Sequence, residues 1–205
     1  MEKVDFKKVF PRLYATKDMK WHDVVVSKMQ FLMIDGQGNP NTSPKYQAAV
    51  ETLYSAAYTI KFISKKELRK DYVMPPLEGL WFADDMSVFE SGNKDAFQWT
   101  MMIMQPDWIT RDLYTQGIET AYQKRSDLPH EALRLETYDE GRSLQRLHIG
   151  SYDDEAPSLA QLHHEIMPAH NLEFNGNHHE IYLSDPRKVA PEKLKTILRQ
   201  PIKER

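Results

Sequence analysis

The sequence predicts an α+β fold built from a duplicated strand–helix–strand–strand module. Three observations lead there. The first half of the chain reads strand–helix–strand–strand by hydrophobic period and turn signals. Met29–Gly36 (MQFLMIDG) can be laid over Leu144–Gly150 (LQRLHIG) with one residue dropped, and each is followed by a polar loop, a helix and another strand. Met101–Asp107 likewise echoes Glu180–Pro186. The repeat sets a module of about 80 to 100 residues, with module one at about 24–125 and module two at about 130–205 of one domain spanning 1–205. Two such modules with antiparallel sheets, side by side, leave a ligand cleft between them.

Each element has its own reason. Val24–Gly36 is rich in β-branched and large apolar residues and ends at a Gly-x-Gly-Asn-Pro turn, which reads as a strand and loop. Ser43-Pro44 supplies an N-cap with proline at the first helical position. Tyr46, Ala49, Val50, Leu53, Ala57 and Ile60 then recur at helical spacing, giving a helix through about Phe62. Ser64–Asp71 is a polar connection. Tyr72–Phe82 and Phe97–Gln105 read as strands, the first with an edge or bulge at Pro75-Pro76, and Asp84–Lys94 between them is turn-rich. A second helix covers Ile109 to about Lys124. Ala132–Tyr138 and Ser143–Ile149 flank a hairpin signal at Asp139–Arg142. Asp153 and Asp154 precede a helix from Ala156 to about Met167, His178–Leu183 is a strand, and the basic C-terminal stretch predicts a helical turn with a closing strand.

Composition narrows the function. At 205 residues the chain can bury a core without a staple, since a chain of this size hides roughly 70% of its unfolded surface. The mean hydropathy of −0.64 goes with the lack of any long apolar run and argues against a spanning helix. Met1–Ala15 lacks a continuous apolar region of the signal-peptide kind, and zero cysteines remove thiol nucleophiles, disulfides and zinc-thiolate sites. A cytoplasmic address, with no membrane association, is expected. The net charge of −3 gives no electrostatic reason for direct nucleic-acid binding. Ten Met, ten Tyr, eight Phe and four Trp form a stock suited to gripping aromatic ligands, or to filling a core.

Among motifs, Gly36-Gln37-Gly38 lacks the third glycine of a dinucleotide loop and reads as a turn. His-His-Glu occurs at 163–165 and 178–180, but Pro168 stands where a second zincin histidine would fall, and His178 and His179 point to opposite faces of a strand. No metal and no cofactor is predicted. On the strand 179–183, Ile181 and Leu183 share one face while Glu180 and Tyr182 share the other. If the hydrophobic face meets the helices, Glu180 is directed away from them. It is then either a carboxylate among aromatics, able to attract cations and to do acid–base work, or a solvated glutamate beside a tyrosine. Gly79 and Trp81 share a face of the strand that also carries Glu78, and Trp108 sits at the end of the strand that carries Met102. Tyr54 and Tyr58, one helical turn apart, line a pocket or pack the core.

Ile34–Asn41, Leu53–Lys61, Pro76–Trp81 and His179–Pro186, in this order, resemble stand-alone GyrI-like small-molecule-binding proteins, over about Val25 to Pro201. The resemblance implies two strand–helix–strand–strand modules related by a pseudo-twofold axis and a cleft for flat, often cationic, aromatic compounds. It places the central acidic residue at Glu180. In multidrug-responsive regulators the same domain follows a DNA-reading module; about two dozen residues before the first strand are too few for one, so a domain acting alone, without direct nucleic-acid binding, is expected. Some similar stand-alone proteins are hydrolases that open the cyclopropane of DNA-alkylating natural products, a detoxification. That comparison makes Glu180 the base, Tyr72, Tyr182 or Tyr152 the hydroxyl donors, and Trp81 and Trp108 the aromatic walls; Glu78, Tyr54, Tyr58 and Met102 complete the expected ligand-binding set. A non-catalytic drug-sequestering or sensing module, or a gyrase-inhibitor-like protein that acts through a protein partner, stays open beside the enzyme.

Overall fold

The computed structural model describes residues 3–84 and 93–205, so most of the turn-rich stretch predicted at 84–94 lies outside the described residues. In chain order the elements are β1 (Lys3–Val4), α1 (Phe6–Val9), α2 (Pro11–Tyr14), β2 (His22–Val26), β3 (Met29–Gln37), α3 (Pro44–Ile63), β4 (Asp71–Tyr72), β5 (Leu77–Phe82), β6 (Gln98–Gln105), α4 (Arg111–Lys124), β7 (Arg134–Tyr138), β8 (Gly141–Ile149), α5 (Ala156–Gln161), α6 (Met167–Ala169), β9 (Leu172–Phe174), β10 (His178–Tyr182) and β11 (Lys195–Glu204). The chain forms two units, Met1–Val9 with Met29–Tyr138, and Phe10–Lys28 with Asp139–Arg205.

The first unit holds an antiparallel sheet in the order β5–β6–β3–β7. In β3 the apolar run Phe31–Ile34 is buried throughout, so this central strand is covered on both faces. Helix α3 starts where the Ser43 hydroxyl accepts from the Tyr46 amide at 3.4 Å, with Pro44 in its first turn. Its buried stripe, which includes Ala49, Leu53, Ala56, Ala57 and Ile60, lies on β3 and β6 and against α4. Gly117 brings α4 so close to α3 that a Cβ there would overlap Ile60, and Gly36 is pressed against the Trp99 ring in the same way. Pro75-Pro76 ends pairing altogether: the predicted strand 72–82 is two strands, and β4 pairs in parallel with β1.

The second unit holds β2–β8–β11–β10, with β9 paired to the far end of β11. Leu144, Leu162, Met167, Leu172 and Ile202 form its apolar cluster, with Trp21 and Ile166 packed on it. The predicted helix from Ala156 is α5, a π-helical turn at Leu162–Ile166, and α6. Asn171 then closes the segment with φ +53°, a conformation asparagine tolerates at a helix end.

The duplicated module is present in the topology. The first strand of each (β3, β8) pairs with the last (β6, β11), which pairs with the third (β5, β10). The second sequence echo is corrected by this: Met101–Asp107 is β6, whose counterpart is β11, whereas Glu180 lies on β10, the counterpart of β5. Short apolar strands ending near Pro and Asp look alike wherever they sit in a sheet.

Two further expectations change. The strand predicted at 24–36 divides at Ser27-Lys28, and β2 belongs to the second unit, where Asp23 and Arg142 pair at 2.7 Å across β2 and β8. The hairpin predicted at 139–142 does not form, because β7 pairs with β3 and β8 with β2 and β11. Glu140 is instead drawn into the second unit by buried cationic partners. The basic C-terminal stretch becomes a turn at Pro191–Lys193 and the ten-residue β11, of which Thr196–Ile202 is buried. Among the described residues no helix is long and apolar enough to cross a membrane.

Candidate functional site

Strand β10 alternates strictly: His179 and Ile181 are buried, and His178, Glu180 and Tyr182 are half-buried on the other side. The two sides face different chemistry. Residues opposite one another in register share a face, so His179 lies with Arg199 and Gln145, and Glu180 with Leu198 and Arg146. The Glu180 side is the side of the helix. Tyr152, in the turn before α5, sets its ring edge-on to Tyr182 at 5.7 Å, and His163, in the π-helical turn after α5, feels the charge of His178. This corrects the expectation that Glu180 points away from the helices.

The reason lies on the opposite face, which carries a buried polar network. The Arg199 guanidinium donates to Gln145 Oε1 (3.0 Å), Glu140 Oε2 (3.0 Å) and the Leu13 carbonyl (2.9 Å). His179 Nδ1 lies 2.8 Å from Glu140 Oε1, and the Gln145 amide donates to the Arg12 carbonyl. Burial alone would raise the Glu140 pKa, but the charges of His179 and Arg199 outweigh it and hold the group at about 2. With that face sealed by its own partners, the helix-side face is where a carboxylate keeps capacity for something else.

At that face Tyr182 Oη donates to Glu180 Oε2 at 2.8 Å, and His178 Nε2 stands 3.5 Å from Oε1, with side-chain exposures of 12% for His178 and 14% for Glu180. Among the described residues the Tyr152 hydroxyl has no hydrogen-bond partner. Desolvation first, and then the charges of Glu180, Glu155 and Asp185, push its pKa up to about 12, so it stays a donor at neutral pH. Glu180 and Tyr182, expected on one strand face, therefore have Tyr152 as a neighbour.

The remaining predicted residues belong to the first unit. Tyr72 is fully buried and its hydroxyl is given to Gln105 Oε1 at 3.3 Å; burial raises its pKa. Trp108 meets Tyr72 edge-on at 6.1 Å and donates to Ser64 Oγ at 3.0 Å. The chain's own cations sit on these rings, Lys70 over Trp108 at 5.3 Å and Lys61 over Tyr72 at 5.9 Å. Trp81 is buried, stacked on Tyr46 and edge-on to Phe97, and its indole nitrogen shares the space beside Gly79 with the Met101 sulfur. Glu78 and Met102 are opposite each other on β5 and β6, both fully buried. Tyr54 and Tyr58 stack at 6.3 Å along α3, and Phe62 continues the ladder outward.

Sequence reasoning missed His178, which shares the strand face of Glu180 by the same period-two rule that picked out Tyr182. It also missed Glu140, whose signal as a turn residue hid a buried ion pair.

Comparison with known proteins shows the family and the fold. The GyrI-like small molecule binding domain matches residues 23–203. An uncharacterized conserved protein from Listeria innocua is 40% identical, with a TM-score of 0.90 over 98% of this chain and 100% of that one. A hydrolase from the same organism is 38% identical, with a TM-score of 0.85 over the same shares. The C-terminal domain of EcmrR shares the fold at 7% identity, with a TM-score of 0.56 over 91% of this chain and 98% of that one. Among curated proteins none matches. The chain belongs to the GyrI-like small-molecule-binding domain family.

Proposed function

We propose that this protein binds planar aromatic cations at Glu180, with Tyr182 and Tyr152 as the flanking rings, in a detoxifying role. The observation that carries the reading is a carboxylate only 14% exposed that shares its strand face with a tyrosine. Holding a carboxylate largely out of water is costly unless a counter-charge or hydrogen bonds compensate it. A bound cation supplies that charge, and the rings add cation–π attraction of about 0.5–2 kcal/mol each. Titration of a rhodamine-type dye against tryptophan fluorescence tests it. Glu180→Gln should weaken the dye by tenfold or more and leave a neutral molecule of the same shape unchanged; loss of a charge-assisted hydrogen bond costs about 1.5–3 kcal/mol. Equal losses for both ligands would mean that Glu180 only shapes the surface.

A second reading is hydrolysis, favoured by the 38% identity to the Listeria innocua hydrolase over nearly the whole chain. Applied to a cyclopropane fused to a dienone, the step is simple. Glu180 takes a proton from water as its oxygen bonds to the cyclopropane carbon. The breaking C–C bond passes its electrons to the dienone oxygen, and a tyrosine hydroxyl hydrogen-bonds that oxygen as it gains charge. Tyr152 suits the donor role better than Tyr72 or Tyr182, whose hydroxyls are committed to Gln105 and Glu180. Mass analysis for a water adduct should find one with the protein and none with Glu180→Gln; a rate equal to that in buffer would leave binding as the whole function.

A further inference from the structure

His178 lies outside the roles assigned so far. It shares the strand face of Glu180, with its Nε2 3.5 Å from the carboxylate. Both of its ring nitrogens are buried, and among the described residues neither has a hydrogen-bond partner. The same is true of His163 Nε2. The two come from different elements, β10 and the π-helical turn between α5 and α6, yet are close enough for their charges to oppose. Such π-helical turns are frequent at functional sites because they re-aim a side chain. Here the turn brings His163 against the edge of Phe174 at 5.0 Å. Buried polar atoms in native proteins almost always find a partner, so the two unpartnered nitrogens of His178 beside the Glu180 carboxylate, with that of His163 near His178, point to a ligand that supplies it.

The chemistry of that ligand follows from what an imidazole offers. In its neutral form it has one acceptor nitrogen and one N–H. His163 is neutral at ordinary pH, because burial and then the charges of His178 and His164 lower its pKa to about 4. The site then presents a carboxylate and imidazole acceptors together. A quaternary ammonium or a phosphonium satisfies the carboxylate but turns only carbon towards the imidazoles. A cation carrying N–H can satisfy both.

We infer that His178, assisted by His163, makes this site selective for aromatic cations that bear an N–H over cations of the same shape and charge that bear none. The inference rests on the reading of Glu180 as the cation-binding residue. Acridine orange, whose cation has a single ring N–H, and its N-methylated counterpart, a cation with none, are a matched pair of probes. Wild type should bind the N–H dye about tenfold or more tighter than the N-methyl dye, the scale of one charge-assisted hydrogen bond. His178→Leu should bring that ratio close to one, chiefly by weakening the N–H dye, and His163→Leu should reduce it in a second, independent variant. A ratio near one in wild type, or an unchanged ratio in both variants, overturns the selectivity while leaving Glu180 as the cation site. Failure of both dyes to bind wild type overturns the Glu180 reading itself, and with it this inference.

Discussion

Replacing Glu140 by glutamine tests the buried network on which the second unit is assembled. The substitution keeps the volume and removes the charge between Arg199 and His179, whose side chains are 1% and 0% exposed. Lowering a carboxyl from 4.5 to about 2 in the folded state corresponds to about 3 kcal/mol of stability at neutral pH. Breaking a buried pair from one side costs about 3–5 kcal/mol, because the remaining charge stays buried. For a chain of this size that is a fall in Tm of about 6–12 °C at the lower figure. The sign with pH is fixed by the depressed pKa: the contribution is present above the unfolded value of 4.5 and is lost as pH falls through about 2. Urea unfolding followed by circular dichroism, at neutral pH and along an acid series, measures both effects. The variant should be weaker at neutral pH and show a flatter acid limb. Salt should change the difference little, since the pair is shielded from solvent. A variant within about 0.5 kcal/mol of wild type, or an acid limb identical to it, would show that the Glu140 charge contributes nothing and that packing alone holds β8 and β11.

Gly117→Ala should destabilise the first unit by about 1–3 kcal/mol by overpacking, because the new methyl overlaps Ile60; in an Ile60→Ala background the same change should be neutral or stabilising, read from urea midpoints. His163 gives a pH dependence of the same sign as Glu140, in a higher pH range. Its pKa falls from 6.5 to about 4 on folding, chiefly by burial, so the unfolded chain takes up the proton first and stability declines as pH drops from 6.5 towards 4. His163→Gln should remove one proton's worth of that slope, measured as the change of unfolding free energy with pH; an unaltered slope would place the titration elsewhere.

The sequence by itself determined the module. Local rules sufficed where the signal was local: Ser43-Pro44 began α3, the period-3.6 stripe from Tyr46 to Ile60 carried it, and the likeness of Met29–Gly36 to Leu144–Gly150 marked the first strand of each repeat. Period-two alternation also puts Tyr182 beside Glu180. What only the tertiary structure decided was partnership. Asp139–Arg142 has the composition of a hairpin turn, yet β7 and β8 take different neighbours because Glu140 finds Arg199, 59 residues away. Alternation likewise separated the faces of β10 without saying which one meets the helix. That choice was set by where Arg199, Gln145 and His179 could be neutralised and hydrogen-bonded, with carbonyls of Arg12 and Leu13 as acceptors. Burial of charge is a long-range condition: the cost is borne at one residue, and the compensating group sits on another strand, invisible to any window of neighbouring sequence.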